Sequence, residues 1–360
     1  MKACLKTMMA GGALAALAVS SPSFAADEGA GTQSTAAKRI ALSNSYAGNA
    51  WRQLMLRTWD SAANGAVKAG QIKATKVVNA NNSAPDQASQ IENLILEGWD
   101  AIVIDAASPT ALNGTIEEAC KANIVVVVFD GVATAPCAYK VSFDFPAMGR
   151  QMTKFVADRL NGNGSLIDVR GIAGASIDED IEKGVQEELK QHPDLKIVAT
   201  VNGNWTPNVA QKEVAAILPS LPKVDAVLSQ GGGFGVYQAF KAANQPIPPI
   251  VFGNYQEEFA AWQAQLKGDP SYETVSLSSA PGVSSIAFWV AQQVLAGKAV
   301  DKNLRVPLLV VDKSNLDVWA AATPKGDVAT PIYDKDWTVR LIDANAAGKP
   351  LPAAPPPSKS

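Results

Sequence analysis

From Arg39 onward the chain alternates short apolar runs with stretches of helical period. The runs of the first half are "RIALSNS", "TKVVNA", "AIVIDA", "IVVVVFD" and "KVSFD". β-Branched residues occupy both phases of these runs, as in strands buried on both faces, and the segments between them carry a helical period. That pattern predicts a parallel sheet with helices on both sides. The same rhythm restarts after a helix predicted over residues 146–160, with "SLIDVRGI", "KIVATVNGN", "AVLSQGG", "PIVFGN" and "TVSLSS". Two successive series of five predict an α/β protein made of two doubly wound parallel-sheet lobes. The later run "RVPLLVV" follows the helical "SSIAFWVAQQVLAGK" too late to found a third domain, and is expected to cross between the lobes.

The flanks read differently. Lys2 and Lys6 precede the apolar run "MMAGGALAALAV", and "SPSFA" puts Ser23 and Ala25 where a signal peptidase reads small side chains. Residues 1–25 are therefore expected to be a signal peptide cleaved after Ala25. The apolar run is shorter than the ~20 residues needed to span a bilayer, and no later segment reads as a membrane span. Residues 26–37, small and polar, read as a flexible leader, and "GKPLPAAPPPSKS" makes residues 346–360 an expected disordered Pro-rich tail. Export to an oxidising compartment would leave Cys120 and Cys137 as the only cysteine pair. A disulfide between them is expected, stabilising the fold by about 3 kcal/mol through loop closure. Two buried free thiols are the alternative; no His or third Cys lies near to suggest a metal.

Composition then removes several classes of function. With 18% charged residues and a net charge of -3 in 360 residues, the chain offers no basic surface for nucleic acid. Its single histidine, His192 in "KQHPD", leaves a Ser-His-Asp or Cys-His hydrolase without a base and a His-ligated metal site without ligands. "SQGGGFG", Ser229 to Gly235, lacks the Lys-Ser/Thr ending of a P-loop and does not match G-x-G-x-x-G. No cofactor is expected, and these glycines suggest close backbone approach to a ligand or to the other lobe.

In open parallel sheets ligands bind beyond the carboxyl ends of the strands. Those ends carry Ser43, Asn44, Tyr46, Asn49, Trp51, Arg52, Asp105 and Asp130 in the first series, and Asp178, Trp205, Gln230, Asn254, Ser278 and Ser279 in the second. The set is rich in amides, hydroxyls, carboxylates and tryptophan. Such groups suit a neutral polyhydroxylated ligand, whose hydroxyls both donate and accept and whose C–H side an aromatic face can cover. Each residue also has a plainer use. Trp51 and Trp205 can be packing aromatics, Asp105 and Asp178 can start helices, Asp130 and Asn254 can serve turns, and Arg52 can face either the cleft or solvent.

Taken in order, "AIVIDAASPTAL", "IVVVVFD", "GIAGASIDEDIEKG", "VDAVLSQGGGFGVYQAFKAA" and "VLAGKAV" resemble the periplasmic sugar-binding proteins of ABC importers. The resemblance is to the ribose-binding-like group of type I periplasmic binding proteins and runs from Arg39 to about Asp317. It implies two lobes joined by a three-stranded hinge. The N-terminal lobe would comprise residues 38–144 plus about 280–306, and the C-terminal lobe residues 145–279 plus about 307–345. Trp51 falls on the family's aromatic after the first strand, Asp130 on its sugar-binding aspartate, and Trp205 on the aromatic of the second lobe. Gly231 stands where the family has an asparagine, Asn254 where it has an aspartate, and Ser279 where it has a hinge glutamine. Gly131 and Ile181 occupy the places of two arginines that grip ribose.

The ligand-binding set implied is Tyr46, Asn49, Trp51, Arg52, Asp130, Asp178, Trp205, Gln230, Gly231, Asn254 and Ser279. Loss of both arginines argues against ribose, and "SYAGNAWR" resembles members that take pentoses, sugar alcohols or other small polyols. The resemblance implies a monomeric periplasmic protein that closes on its ligand and delivers it to a membrane permease with its cytoplasmic ATPase, without catalysis. A sensor subunit serving a chemoreceptor or kinase is the alternative. A carbohydrate-cleaving enzyme would need paired carboxylates, for which Asp105 and Asp130 could be proposed.

Overall fold

The apolar runs become strands in the computed structural model, which describes residue 1 and residues 31–357. The expected signal peptide, beyond Met1, lies outside the described residues. In the first lobe β1 (Arg39–Asn44), α1 (Ala50–Lys68), β2 (Ala74–Asn79), α2 (Ala84–Leu96), β3 (Ala101–Asp105), α3 (Asn113–Lys121), β4 (Val125–Phe129) and β5 (Tyr139–Phe143) alternate as the pattern predicts. The second lobe follows with α4 (Phe145–Arg159), β6 (Asn163–Arg170), α5 (Ser176–Leu189), β7 (Asp194–Asn202), α6 (Pro207–Ile217), β8 (Ala226–Ser229), α7 (Gly233–Ala242), α8 (Gln256–Gly268) and β9 (Ser276–Ser278). The chain then adds α9 (Val283–Leu295), β10 (Asn303–Val306), β11 (Leu309–Val311), α10 (Leu316–Ala322) and α11 (Lys335–Ala346).

The first sheet runs β10-β5-β4-β3-β1-β2, parallel throughout. Its central strands are apolar on both faces because helices cover both: every residue of β3 is buried, as are Ile40 through Asn44 of β1. In the second lobe β7-β6-β8 is parallel, and β9 pairs with β11 antiparallel. "PIVFGN", expected as a strand between them, forms only single parallel rungs, Ile250 to Val227 and Phe252 to Ser276. Pro248 and Pro249 have no N–H to give, so the ladder cannot begin before Ile250.

"RVPLLVV" crosses between the lobes as expected, giving β10 to the first sheet and β11 to the second. The connections β5 to α4, β9 to α9 and β10 to β11 thus make three passages between the lobes. Helix α9, buried continuously from Val283 to Gln293, packs on α1, β3 and β4. A helix apolar on every side has to lie inside.

Beyond β11 the structure departs from the expected boundaries. Only α10 stays with the second lobe, against α8, while α11 returns to the first and packs on α9 and β10. Its buried Trp337, Leu341 and Ile342 need an apolar floor, which α9 supplies. Asn345 then brackets Arg305, accepting from its N–H at 3.0 Å and donating to its carbonyl at 3.1 Å. The chain therefore passes between the lobes a fourth time, over residues 323–334. Both expected loose ends are also held where they are described. Thr35 donates to the Gln71 carbonyl at 2.7 Å and Gln33 N to the Ala296 carbonyl at 2.9 Å. At the other end Leu351 packs half-buried against the core, and the Trp337 indole donates to the Ala353 carbonyl at 3.0 Å.

Cys120, in the last turn of α3, is bonded to Cys137 in the loop before β5, 17 positions away, with a Cα–Cα distance of 6.4 Å. Replacing both by serine should lower the unfolding free energy by about 3 kcal/mol by restoring freedom to the unfolded loop. Urea titration should show the lower midpoint, with an m-value equal to or above that of the wild type because the unfolded chain is less compact.

Candidate ligand-binding site

Strand order reverses between β1 and β3 in the first sheet and between β6 and β8 in the second. At such switch points successive connections leave to opposite sides and open a crevice beyond the strand ends. The two crevices face each other across a partly open cavity of about 100 Å³. Of the expected set, Asn49, Trp51, Arg52, Asp130, Trp205, Gln230, Gly231, Asn254 and Ser279 line it. The structure adds Phe145, Met148, Ile177, Ile181, Gly253, Tyr255 and Ser278.

On the first-lobe side, Asn49 starts α1 by accepting the Arg52 N–H on Oδ1 at 2.8 Å, which leaves its Nδ2 as a donor. The first turn of that helix projects Trp51 and Arg52 over the strand ends. Trp51 donates its indole N–H to the Ser279 carbonyl of the hinge at 3.1 Å, and the Arg52 guanidinium lies 5.3 Å from its ring centre. Arg52 is in the cleft and not on the surface. It pairs with Asp105 at the end of β3 and stands 3.9 Å from Asp130 at the end of β4. Burial lowers its pKa from the usual arginine value, opposed by Asp130 and Tyr46, yet a guanidinium stays protonated.

Asp130 is held in an unusual way. Its backbone is left-handed, φ 54°, and its Oδ1 is buried with no partner among the described residues. Burial pushes its pKa up to about 6 despite the opposing pull of Arg52. A strained backbone and an unsatisfied buried oxygen both cost stability, and both suit a group waiting for a ligand donor. The hinge hydroxyl Ser278 Oγ is likewise buried without a partner among the described residues.

From the second lobe Trp205, also left-handed at φ 52°, presents its ring over Gly171, and a methyl at Gly171 would overlap the indole. Its carbonyl accepts from the Tyr255 hydroxyl at 3.3 Å. Asn254 and Tyr255 sit on a turn closed by buried Glu258, which accepts from Tyr255 N at 2.9 Å and Phe234 N at 3.3 Å. Burial raises Glu258 to about 7, against the lowering effect of those N–H donors. Ile181 stands beside Met148, Ile177 and Phe145 as an apolar wall. Helices α4 and α5 can bring that wall together because Gly184 lets α5 approach the Pro146 carbonyl with no room for a Cβ.

Two expected ligand contacts are reassigned by geometry. Asp178 is buried away from the cavity, accepting from Gly171 N at 2.8 Å and from Arg170 at 2.6 Å and 3.2 Å. It fixes the floor under Trp205 and, through its backbone carbonyl at 3.4 Å, the amide of Gln230. Tyr46 is 38% exposed and does not line the cavity; its ring lies over Gly48. Sequence reading missed the apolar wall because a helix face turned to a cleft has the same period as one turned to a core. Tyr255 directly follows Asn254 and was open to notice.

Residues 40–299 match the family model described as periplasmic binding protein domain. The chain belongs to the periplasmic binding protein family. A crystal structure of an ABC transporter solute binding protein from Thermobispora bispora shares 36% identity and a TM-score of 0.82, covering 89% of this chain and 100% of that one. The xylitol-binding protein of Mycolicibacterium smegmatis is 29% identical over 244 residues, 67% of this chain and 69% of its own. A ribose import binding protein of Bacillus subtilis is 24% identical over 235 residues, 64% of this chain and 75% of its own. These relatives are binding proteins and not enzymes, in keeping with the sequence reading. A periplasmic binding protein works by differential contact: groups on both lobes reach one ligand only when the lobes are together, so the ligand favours the closed form.

Gly171 supports Trp205 without lining the cavity, so Gly171→Ala should displace the indole. The expected result is at least a tenfold loss of affinity, with a shifted tryptophan emission and little change in far-UV circular dichroism. Asp130 gives a pH signature. Because its folded pKa lies above the ~3.9 of an unfolded aspartate, the ligand-free fold gains stability as pH falls through about 6 toward 4. Removing the charge with Asp130→Asn should therefore raise the melting temperature at pH 8, and that advantage should fade below pH 6. Melting curves of the two proteins across pH 4 to 8 test this, and a variant less stable at pH 8 contradicts the assignment.

Proposed function

We propose that this protein captures a small neutral polyol or pentose in the periplasm and presents the closed form to an ABC permease. The observation that carries the reading is the unpartnered, buried Oδ1 of Asp130 at the wall of a cavity of about 100 Å³. That oxygen calls for a hydroxyl donor. Asn254 and Ser278 offer further oxygens, Asn49 and Arg52 offer donors, and Trp51 and Trp205 offer faces for a carbon skeleton. An anion is disfavoured because the one lining cation, Arg52, already faces Asp105 and Asp130. Residues of both lobes line one space, which suits a single small molecule.

The loss of both ribose-gripping arginines supports a sugar alcohol or a pentose other than ribose. The arginines expected to grip ribose are replaced by Gly131 and Ile181, and the cation reaches the cleft from α1 instead. The similarity to a xylitol-binding protein points in the same direction. Periplasmic location rests on the signal-peptide reading together with the family. Delivery to a permease and its ATPase rests on the family and on the named ABC relative.

A thermal-shift screen of pentitols, pentoses, hexitols and hexoses, followed by calorimetric titration of the hits, tests the proposal. A bound ligand stabilises the native state alone, by about 2.7 kcal/mol at a hundredfold excess over Kd. A pentitol or pentose should give the largest shift, and Asp130→Ala and Trp205→Ala should each weaken it at least tenfold. Unchanged affinity in both variants, or a preference confined to anions, would sink the reading. Affinity of the wild type should also fall below pH 6 as Asp130 takes up a proton and loses its charge.

A further inference from the structure

On its fourth passage between the lobes the chain runs beside the turn that carries Asn254. Ala329 meets that residue twice. Its backbone N–H donates to the Asn254 carbonyl at 2.7 Å, and its carbonyl accepts from Asn254 Nδ2 at 2.8 Å. Neighbouring residues extend the contact, with an antiparallel rung between Tyr255 and Val328 and a bond from Gln256 N to the Asp327 carbonyl at 3.0 Å. The passage is also tied to the first lobe and hinge. Arg57 of α1 pairs with Asp327, and Thr330 Oγ1 accepts from Gly282 N at 2.8 Å.

We propose that Ala329 is a specificity-determining positioning residue, whose carbonyl engages one N–H of the Asn254 amide and so fixes which way the amide faces, with Oδ1 as its acceptor for the cleft. Asn254 is 4% exposed and Ala329 2%, so their contact is shielded from water. With one N–H engaged, the amide cannot exchange its oxygen and nitrogen without setting Oδ1 against the Ala329 carbonyl. Position 254 therefore reads a ligand hydroxyl as donor through a neutral acceptor, which rests on the proposal that the cleft takes a hydroxylated ligand. A carboxylate at this position would have no proton for the Ala329 carbonyl. Two acceptors would then face each other in a buried place, a costly arrangement.

The distinguishing variant is Asn254→Asp. If the ligand alone decided the residue, an aspartate should bind a hydroxyl at least as well as an asparagine does. If Ala329 decides it, affinity for the best compound of the panel should fall tenfold or more at pH 8. The ligand-free variant should also melt below wild type at pH 8, and the deficit should shrink toward pH 5 as the new carboxyl gains a proton to donate to Ala329. Arg52 and Asp130 across the cavity, Glu257 and Glu258 on α8, Tyr255, and Arg57 with Asp327 all face this region. Asp130 and Glu258, pushed up to about 6 and about 7, titrate in the same window and couple to a new carboxylate, so the uncharged Asn254→Ala variant is measured alongside as the baseline.

The melting arm needs no ligand, so it decides the Asn254–Ala329 contact even if every compound of the panel fails and the sugar reading falls. Affinity retained or improved in Asn254→Asp overturns the specificity claim, and a deficit that does not change with pH overturns the positioning claim. Should Asn254→Asp not fold, Asn254→Ala takes its place. It should melt lower at every pH, without recovery at pH 5, and bind at least tenfold more weakly; wild-type affinity in that variant refutes the proposal.

Discussion

One buried cation decides what the first lobe can carry at its strand ends. β3 and β4 are adjacent parallel strands, and Asp105 closes the first while Asp130 immediately follows the second, so two carboxylates stand side by side out of water. Left alone, such a pair could not both ionise. The Arg52 guanidinium enters between them, fixed by the helix start at Asn49 and flanked by the Trp51 ring. Shifting that start by one residue would swing Arg52 about a hundred degrees round the helix. Both charges would lose their partner and Trp51 would leave the hinge. The cap, the tryptophan, the arginine and the two aspartates are thus one device.

The device is incomplete by itself, which is what a binding site requires. Asp105 takes the closer share of the guanidinium, and Asp130 keeps one oxygen unengaged on a left-handed backbone. Across the cleft Trp205 adopts the same backbone region, supported by Gly171, Asp178 and the Tyr255 hydroxyl. Strain on both sides has been accepted at the positions that meet the cavity, while Gln87 and Glu258 satisfy the strand ends around it. Gln87, fully buried on α2, ties Asp105 O, Ser43 and Ala107 N together. Strand ends held by Gln87 and Glu258 keep the positions around the cavity in place, which lowers the entropy lost when a ligand arrives.

How much of this could be read from the sequence depends on the range of the interaction concerned. Strands such as "AIVID" and "VVVVF" declare themselves because burial on both faces is a local pattern, and chemistry at their carboxyl ends follows from sheet geometry. Residues that end a strand or open a helix, such as Asp130 and Asn254, were therefore legible as cavity residues. Asp178 was legible as polar and helix-starting, but its direction was not, since facing Gly171 or the cleft is one rotation of the same helix. The role of α11 was hidden for a related reason. Its apolar stripe needs a partner, and the sequence contains apolar faces on both lobes that could serve. Arg52 stayed ambiguous until the distance to Asp105, 53 positions away in the chain, was known.

The fourth passage changes how the cleft has to be pictured. With three connections, the two lobes could be treated as bodies whose contacts with a ligand alone oppose opening. Here the chain returns to the first lobe through residues that touch Asn254, Arg57 and Gly282 on the way, so the second-lobe half of the cavity is linked to α1 and the hinge by bonds that exist without any ligand. An exposed ion pair such as Arg57 with Asp327 contributes only about 0.2–1 kcal/mol. That is small for stability, but on an equilibrium between open and closed forms it is a factor of roughly 1.4 to 5. Where opening breaks such a bond, part of the free energy of closure lies outside the ligand contacts. The groups proposed to meet the ligand, Asp130, Asn254 and the tryptophans, then need not supply all of the affinity.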